Sequence, residues 1–100
     1  MESHARKLLV IIGEAALEKN LVRDVRRFGV QGYTITDVRG GGGRGEREAS
    51  WENDRSIEMK IIADAAIAEQ VAQHVLATYA PHYAIVMFTS DVGVFRPQKF

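Results

Sequence analysis

Residues 40–47 read Gly40-Gly41-Gly42-Gly43-Arg44-Gly45-Glu46-Arg47, five glycines and two arginines in eight positions. Glycines allow successive backbone N–H groups to turn into a concave nest, and arginines add forked, permanently charged donors, so a phosphate or another oxyanion is the ligand this composition suits. A Walker A loop is excluded, because no Gly-Lys-Ser/Thr follows and the segment runs toward a strand. The other reading is a flexible Gly-rich connection. Arg44, flanked by glycines, is the stronger anion ligand of the two arginines. Arg47 stands between Glu46 and Glu48, so a solvated face paired with those carboxylates competes with a phosphate contact.

The polar stretch continues to Arg55, sixteen residues with one large apolar side chain, Trp51, among Glu46, Glu48, Glu52 and Asp54. Loops of that length inside a small domain are functional or disordered more often than structural. Trp51 suits an anchor for a protein partner, since it buries a large area at low entropic cost, and the alternative is that it folds back on its own subunit. Near the other end, Arg96 and Lys99 follow the last apolar run, where the chain end either crosses into a neighbouring copy or frays.

No catalytic constellation stands out. His4 is near the terminus, His74 and His82 flank the end of a helical segment without a carboxylate at metal-ligand spacing, and Ser3, Ser50, Ser56 and Ser90 lack a base partner or nucleophile elbow. The chain reads as a binder, with neither a metal nor a catalytic residue.

Positioning these groups falls to a single domain over residues 1–100. Thirteen basic residues balance thirteen acidic ones, which argues against generic attraction to nucleic acid or anionic membrane and makes any anion site local. The absence of cysteine fits a reducing compartment, and with no signal-peptide pattern or membrane-length apolar run the expected location is cytoplasmic.

Residues 8–12, Leu-Leu-Val-Ile-Ile, are apolar throughout, which predicts a strand buried on both faces. Leu17, Leu21, Val22, Val25 and Phe28 then recur at helical spacing, with Asp24 and its charged neighbours on the other face and Gly29 at the left-handed C-terminal position. Residues 32–38 predict a second strand and 56–63 a third, through alternating Ile57, Met59 and Ile61. Asp64 is placed to cap a second helix with the stripe Ile67, Ala68, Val71, Ala72, Val75, Leu76 and Tyr79, ended by Pro81. Residues 83–88 form the last strand, with 89–96 as a turn or an extension.

The order βαββαβ predicts an α+β, ferredoxin-like sandwich with a long loop at about residues 40–55 between strands 2 and 3. Two helices cover one sheet face only. Strands apolar on both faces leave the other face needing a lid, so sheet-on-sheet association with closed symmetry follows, as dimer or trimer.

This order, the Gly32-Tyr33-Thr34 strand leading to Gly40, Gly42, Arg44 and Arg47, and the later Asp91-x-Gly93-x-Phe95 together resemble the PII signal-transduction superfamily. The closest likeness is to the PII-like branch associated with bicarbonate transporters and carboxysomes. The resemblance implies a trimer that binds adenine nucleotides (ADP, AMP or ATP) in clefts between subunits, with residues 40–55 as the T-loop that docks on a bicarbonate transporter or a carboxysome-associated protein, recruiting the chain to the membrane. It assigns Gly40, Gly42, Arg44 and Arg47 to phosphate contacts and Ser90, Asp91, Gly93 and Arg96 to contacts from the facing subunit. Bicarbonate or a similar oxyanion would use Gly41, Gly43 and Arg44 beside the nucleotide. Typical members carry a phosphate-loop lysine and a T-loop tyrosine. Both are missing here, which argues against tight ATP–magnesium binding, 2-oxoglutarate sensing and uridylylation. Two other classes share this size and topology: acylphosphatase-type enzymes, whose phosphate cradle follows the first strand where this chain has Gly13-Glu14-Ala15, and CutA-type trimers, which need no glycine run.

Overall fold

The computed structural model describes residues 1–40 and 55–100. Four strands, β1 (His4–Glu14), β2 (Thr34–Val38), β3 (Ser56–Ala63) and β4 (Ile85–Val94), form one antiparallel sheet in the order β2-β3-β1-β4. Two helices, α1 (Glu18–Arg27) and α2 (Ala65–Thr78), pack on one face. Strand β1 is central, and Leu9, Val10 and Ile11 are all buried, as a continuous apolar run predicts. Leu9 and Ile11 join Met59, Ile61, Leu21, Val25, Val71, Val75 and Tyr79 in the core, with Ile85 and Met87 packed against it.

Several elements form for the reasons their residues give. β3 spans the alternating stretch Ser56–Ala63 and sends Ile57, Met59 and Ile61 inward. Asp64 caps α2, its Oδ1 accepting from the Ile67 N–H at 2.9 Å. At the end of α1, Gly29 takes φ +94°, the Gly29 N–H donates to the Arg26 carbonyl and the Val30 N–H to the Val25 carbonyl, both at 3.0 Å. That pair of bonds is a Schellman motif, and it folds Val30 back into the core beside Val25.

Several expectations change. β1 is longer than residues 8–12 in both directions, β4 starts at Ile85 and runs through to Val94, and β2 begins at Thr34. The extra lengths of β1 and β4 carry polar residues and are held by the register that pairs Lys7 with Asp91 and His4 with Val94. Leu76, expected in the stripe of α2, is 56% exposed. Asp24, expected on the solvent face of α1, is 1% exposed. Its positions relative to Leu17, Leu21 and Phe28 put it on the same face as those apolar residues, and its partners, described below, compensate its burial.

The face opposite the helices carries Arg6, Leu8, Val10 and Ile12 of β1 against Val92, Ser90, Phe88 and Val86 of β4. Val86 and Phe88 are 60% and 54% exposed, whereas their neighbours in sequence, Ile85 and Met87, pack on the core.

Candidate functional site

Gly40 follows β2 at one edge of the sheet. Val38 pairs with Ser56, Glu14 with Ser56 across β3, and Gly13 with Ile85 at the start of β4, so Gly40, Arg55, Glu14 and Ala84 belong to one end of the sheet. Ser90 pairs with Leu8 and Val94 with His4, toward the other end. At about 3.3 Å per residue, Ser90 lies roughly 17 Å and Val94 roughly 30 Å along β4 from Ile85. Of the two groups of predicted ligands, Gly40 and residues 90–94 therefore lie toward opposite ends of the sheet within one subunit.

Gly40 is exposed, a Cβ there would meet nothing within 4 Å, and among the described residues Gly29 alone has positive φ. Among the described residues, then, neither a positive φ nor a close neighbour requires glycine at position 40. Gly41, Gly42, Gly43, Arg44, Arg47 and Trp51 lie outside the described residues.

At the far end, Ser90 and Asp91 point to opposite faces of β4, so a ligand resting on one face meets only one of the two side chains. Asp91 accepts an ion-paired hydrogen bond from Lys7 Nζ at 2.6 Å and is otherwise open to solvent. Gly93 lies against Ser3, whose Oγ would be 3.0 Å from a Cβ at that position. Arg96 is exposed, and its carbonyl accepts from the Lys99 N–H at 2.9 Å, which curls Pro97–Lys99 into a short 3-10 turn. Arg6 reaches this turn, donating through Nη2 to the Pro97 carbonyl at 3.4 Å.

The edge holding Gly40 also contains contacts that composition and periodicity did not reveal. Glu14 Oε2 accepts from the Ala84 N–H at 2.9 Å, and the Ala15 N–H donates to the Arg55 carbonyl at 2.8 Å. Glu14 occupies the place where an acylphosphatase-type cradle would receive phosphate, and its carboxylate is engaged by the backbone there.

A second polar cluster joins the helices. The Tyr79 hydroxyl donates to Asp24 Oδ2, His74 Nε2 donates to the same oxygen at 2.8 Å, and Arg23 Nε and Arg27 Nη2 donate to Oδ1 at 3.0 and 3.1 Å. Burial pushes the Asp24 carboxyl up, and the hydrogen bonds from Tyr79, His74 and Arg23 outweigh it, leaving the group below the ordinary 3.8. Burial, then the Asp24 carboxylate, hold the Tyr79 phenol above 10.0, so it stays a donor. The cluster links α1 to α2. Among the described residues there is no group of three or more His, Cys, Asp or Glu able to hold a metal ion.

Asp24→Ala strands Tyr79 and His74 at a buried position, and a loss of about 2–3 kcal/mol in unfolding free energy is expected. A carboxyl with a lowered folded pKa contributes stability that is complete above its unfolded value and lost as pH falls through the folded one. Urea unfolding of the wild type therefore weakens as pH drops below about 4, and Asp24→Asn should flatten that acid limb. An identical acid limb in the variant would assign the pH dependence to other carboxylates.

Together, two helices on one face of an antiparallel sheet and a Gly/Arg segment issuing from its edge define a small α+β binding domain. The nitrogen regulatory protein P-II family model matches residues 6–99, and the chain belongs to that family. It is similar to a Thermus thermophilus protein described as PII-like signaling, with 39% identity and TM-score 0.85 over 100% of this chain and 99% of that one. CPII of Thiomonas intermedia bound to ADP and bicarbonate is 27% identical, TM-score 0.85, over 99% of this chain and 97% of that one. CPII bound to ADP, AMP and acetate is 26% identical, TM-score 0.84, over 100% and 98%. No helix among the described residues is long and apolar enough to cross a membrane.

Proposed function

We propose that this chain is a regulatory, non-catalytic PII-like protein. Three identical subunits bind an adenine nucleotide (ADP, AMP or ATP) in each cleft between neighbours, without a tightly held cofactor. Gly40, Gly42, Arg44 and Arg47 of one subunit contact phosphate, and Arg96 with either Ser90 or Asp91, and Gly93, approach from the next. Bicarbonate binds beside the nucleotide at Gly41, Gly43 and Arg44. The ligand state is read out by residues 40–55, with Trp51 as anchor, on a bicarbonate transporter or carboxysome-associated partner that controls inorganic-carbon uptake or fixation. The protein works in the cytoplasm and meets the membrane through that partner.

The likeness over nearly the whole chain to CPII holding ADP and bicarbonate carries this reading. The separation of Gly40 from Ser90 and Gly93, toward opposite ends of one sheet, is compatible with a site shared between neighbouring copies. Glycine N–H groups exceed what one terminal phosphate can use, and the two arginines offset a second negative charge. The experiment is an ADP titration by calorimetry with and without bicarbonate, at fixed pH and with chloride matching the ionic strength. Bicarbonate is expected to change ADP affinity, and ADP must change bicarbonate affinity by the same factor. Equal ADP affinities in the two buffers would leave a plain nucleotide sensor.

A further inference from the structure

Gly13 and Glu14, which end β1, and the following Ala15 lie at the end of the sheet that holds Gly40, and each touches a different neighbour. A Cβ on Gly13 would lie 2.8 Å from Ile85 Cγ1, so a larger residue there would have to displace the Ile85 side chain. The Glu14 carboxylate accepts from the Ala84 N–H at 2.9 Å. The Ala15 N–H donates to the Arg55 carbonyl at 2.8 Å, fixing the residue at which the chain returns from the long connection into β3.

The turn between α2 and β4 runs into Ile85, which pairs with Gly13 and packs on the core. Pro81, His82, Tyr83 and Ala84 are all exposed, and the His82 and Tyr83 N–H groups both donate to the Tyr79 carbonyl at 3.0 Å, which ties the turn to its own helix and not to the sheet. Beside the Gly13–Ile85 strand pair, the bond from Ala84 to Glu14 is a side-chain link from this turn to β1, next to Ala15, which bonds Arg55. A carboxylate there carries a cost. Glu14 ends the central strand β1 at the same end of the sheet as Gly40, and its charge disfavours an anionic ligand there. The acceptor it provides to the Ala84 N–H offsets that cost.

We propose that Glu14 is a positioning residue for the nucleotide site: its carboxylate holds the turn before β4 in register with the base of the long connection at Arg55, so that order at either segment, and ligand affinity, depend on the other. This rests on the adenine-nucleotide reading above. The exposed Glu14–Ala84 bond contributes little to global stability, so its effect lies in local order.

Amide hydrogen exchange on the ligand-free protein comes first, because it tests the link whether or not nucleotide binds. In Glu14→Ala, exchange should accelerate at both Ala84 and Ala15, while core amides such as those of Leu9 and Ile61 keep their rates. Glu14→Gln, whose amide oxygen still accepts from Ala84, should restore both. Acceleration at Ala84 with Ala15 unchanged would overturn the link. The ADP titration follows, with wild-type binding as the separate check on the nucleotide reading. A loss of about 3- to 10-fold is expected for Glu14→Ala and less than about 2-fold for Glu14→Gln, the size of one modest hydrogen bond. Equal affinities for wild type and Glu14→Ala, equal losses in the two variants, or a gain on removing the charge would each contradict a positioning role.

Discussion

Val86→Asp or Phe88→Asp is expected to convert the assembled protein into folded monomers. Both side chains stand on the sheet face opposite the helices, more than half exposed in the single chain, and alternate with Ile85 and Met87, which face the core. The core is therefore untouched by either change. In an assembly that buries this face, each aspartate removes apolar contact worth about 1.5–3 kcal/mol and places a charge against apolar surface. Closed symmetry repeats that penalty in every subunit. Light scattering should fall from three subunits to one 11.1 kDa chain, with far-ultraviolet circular dichroism unchanged. Val10 provides the contrast. It shares the face but is already 2% exposed within the subunit, so Val10→Asp should unfold the chain instead of merely dissociating it. A trimer that survives Val86→Asp and Phe88→Asp would place the contact elsewhere.

Arg44→Ala is expected to weaken ADP binding by roughly 10- to 100-fold, because charge-assisted hydrogen bonds are worth about 1.5–3 kcal/mol. Arg47→Ala should cost less, since Glu46 and Glu48 compete for its charge. Mass and thermal unfolding in the absence of ligand serve as controls. Calorimetry in one buffer reads the difference directly. An Arg44→Ala protein with wild-type affinity would remove that residue from the site and shift the phosphate contact to other donors.

The parts of the fold legible in the sequence were those where local chemistry and tertiary demand agree. Alternation fixed both ends of β3, Asp64 announced α2 through its cap, and Gly29 marked the only positive φ among the described residues. Strand ends were less legible. His4, Arg6, Lys7 and Asp91 carry no apolar signal, and they become strand because β1 and β4 pair along their length. Asp24 escaped notice because a charged residue is assigned to solvent by default, although its spacing from Leu21 and Phe28 put it on the buried stripe. Its partners His74 and Tyr79 lie 50 and 55 positions away, where no local pattern reaches.

For the site, residue types suggest a class of ligand, and juxtaposition is not legible in the sequence. A run of glycines with Arg44 and Arg47 signals an oxyanion from composition alone. That Glu14, Ala84 and Arg55 lie at the same end of the sheet as Gly40, while Ser90 and Arg96 lie toward the opposite end, follows from the order β2-β3-β1-β4 and its register. The same register separates Ser90 from Asp91 across the sheet, which no reading of adjacent residues as one contact group anticipates.

A nucleotide site completed only between copies of the chain must disappear when the copies separate. Its most direct test is an ADP titration of the wild type alongside monomeric Val86→Asp, in the same buffer and at the same subunit concentration. Saturation at one ADP per subunit is predicted for the assembled protein, and loss of binding for the folded monomer. Undiminished ADP binding by the monomer, or no binding by the assembled wild type, would contradict a shared site.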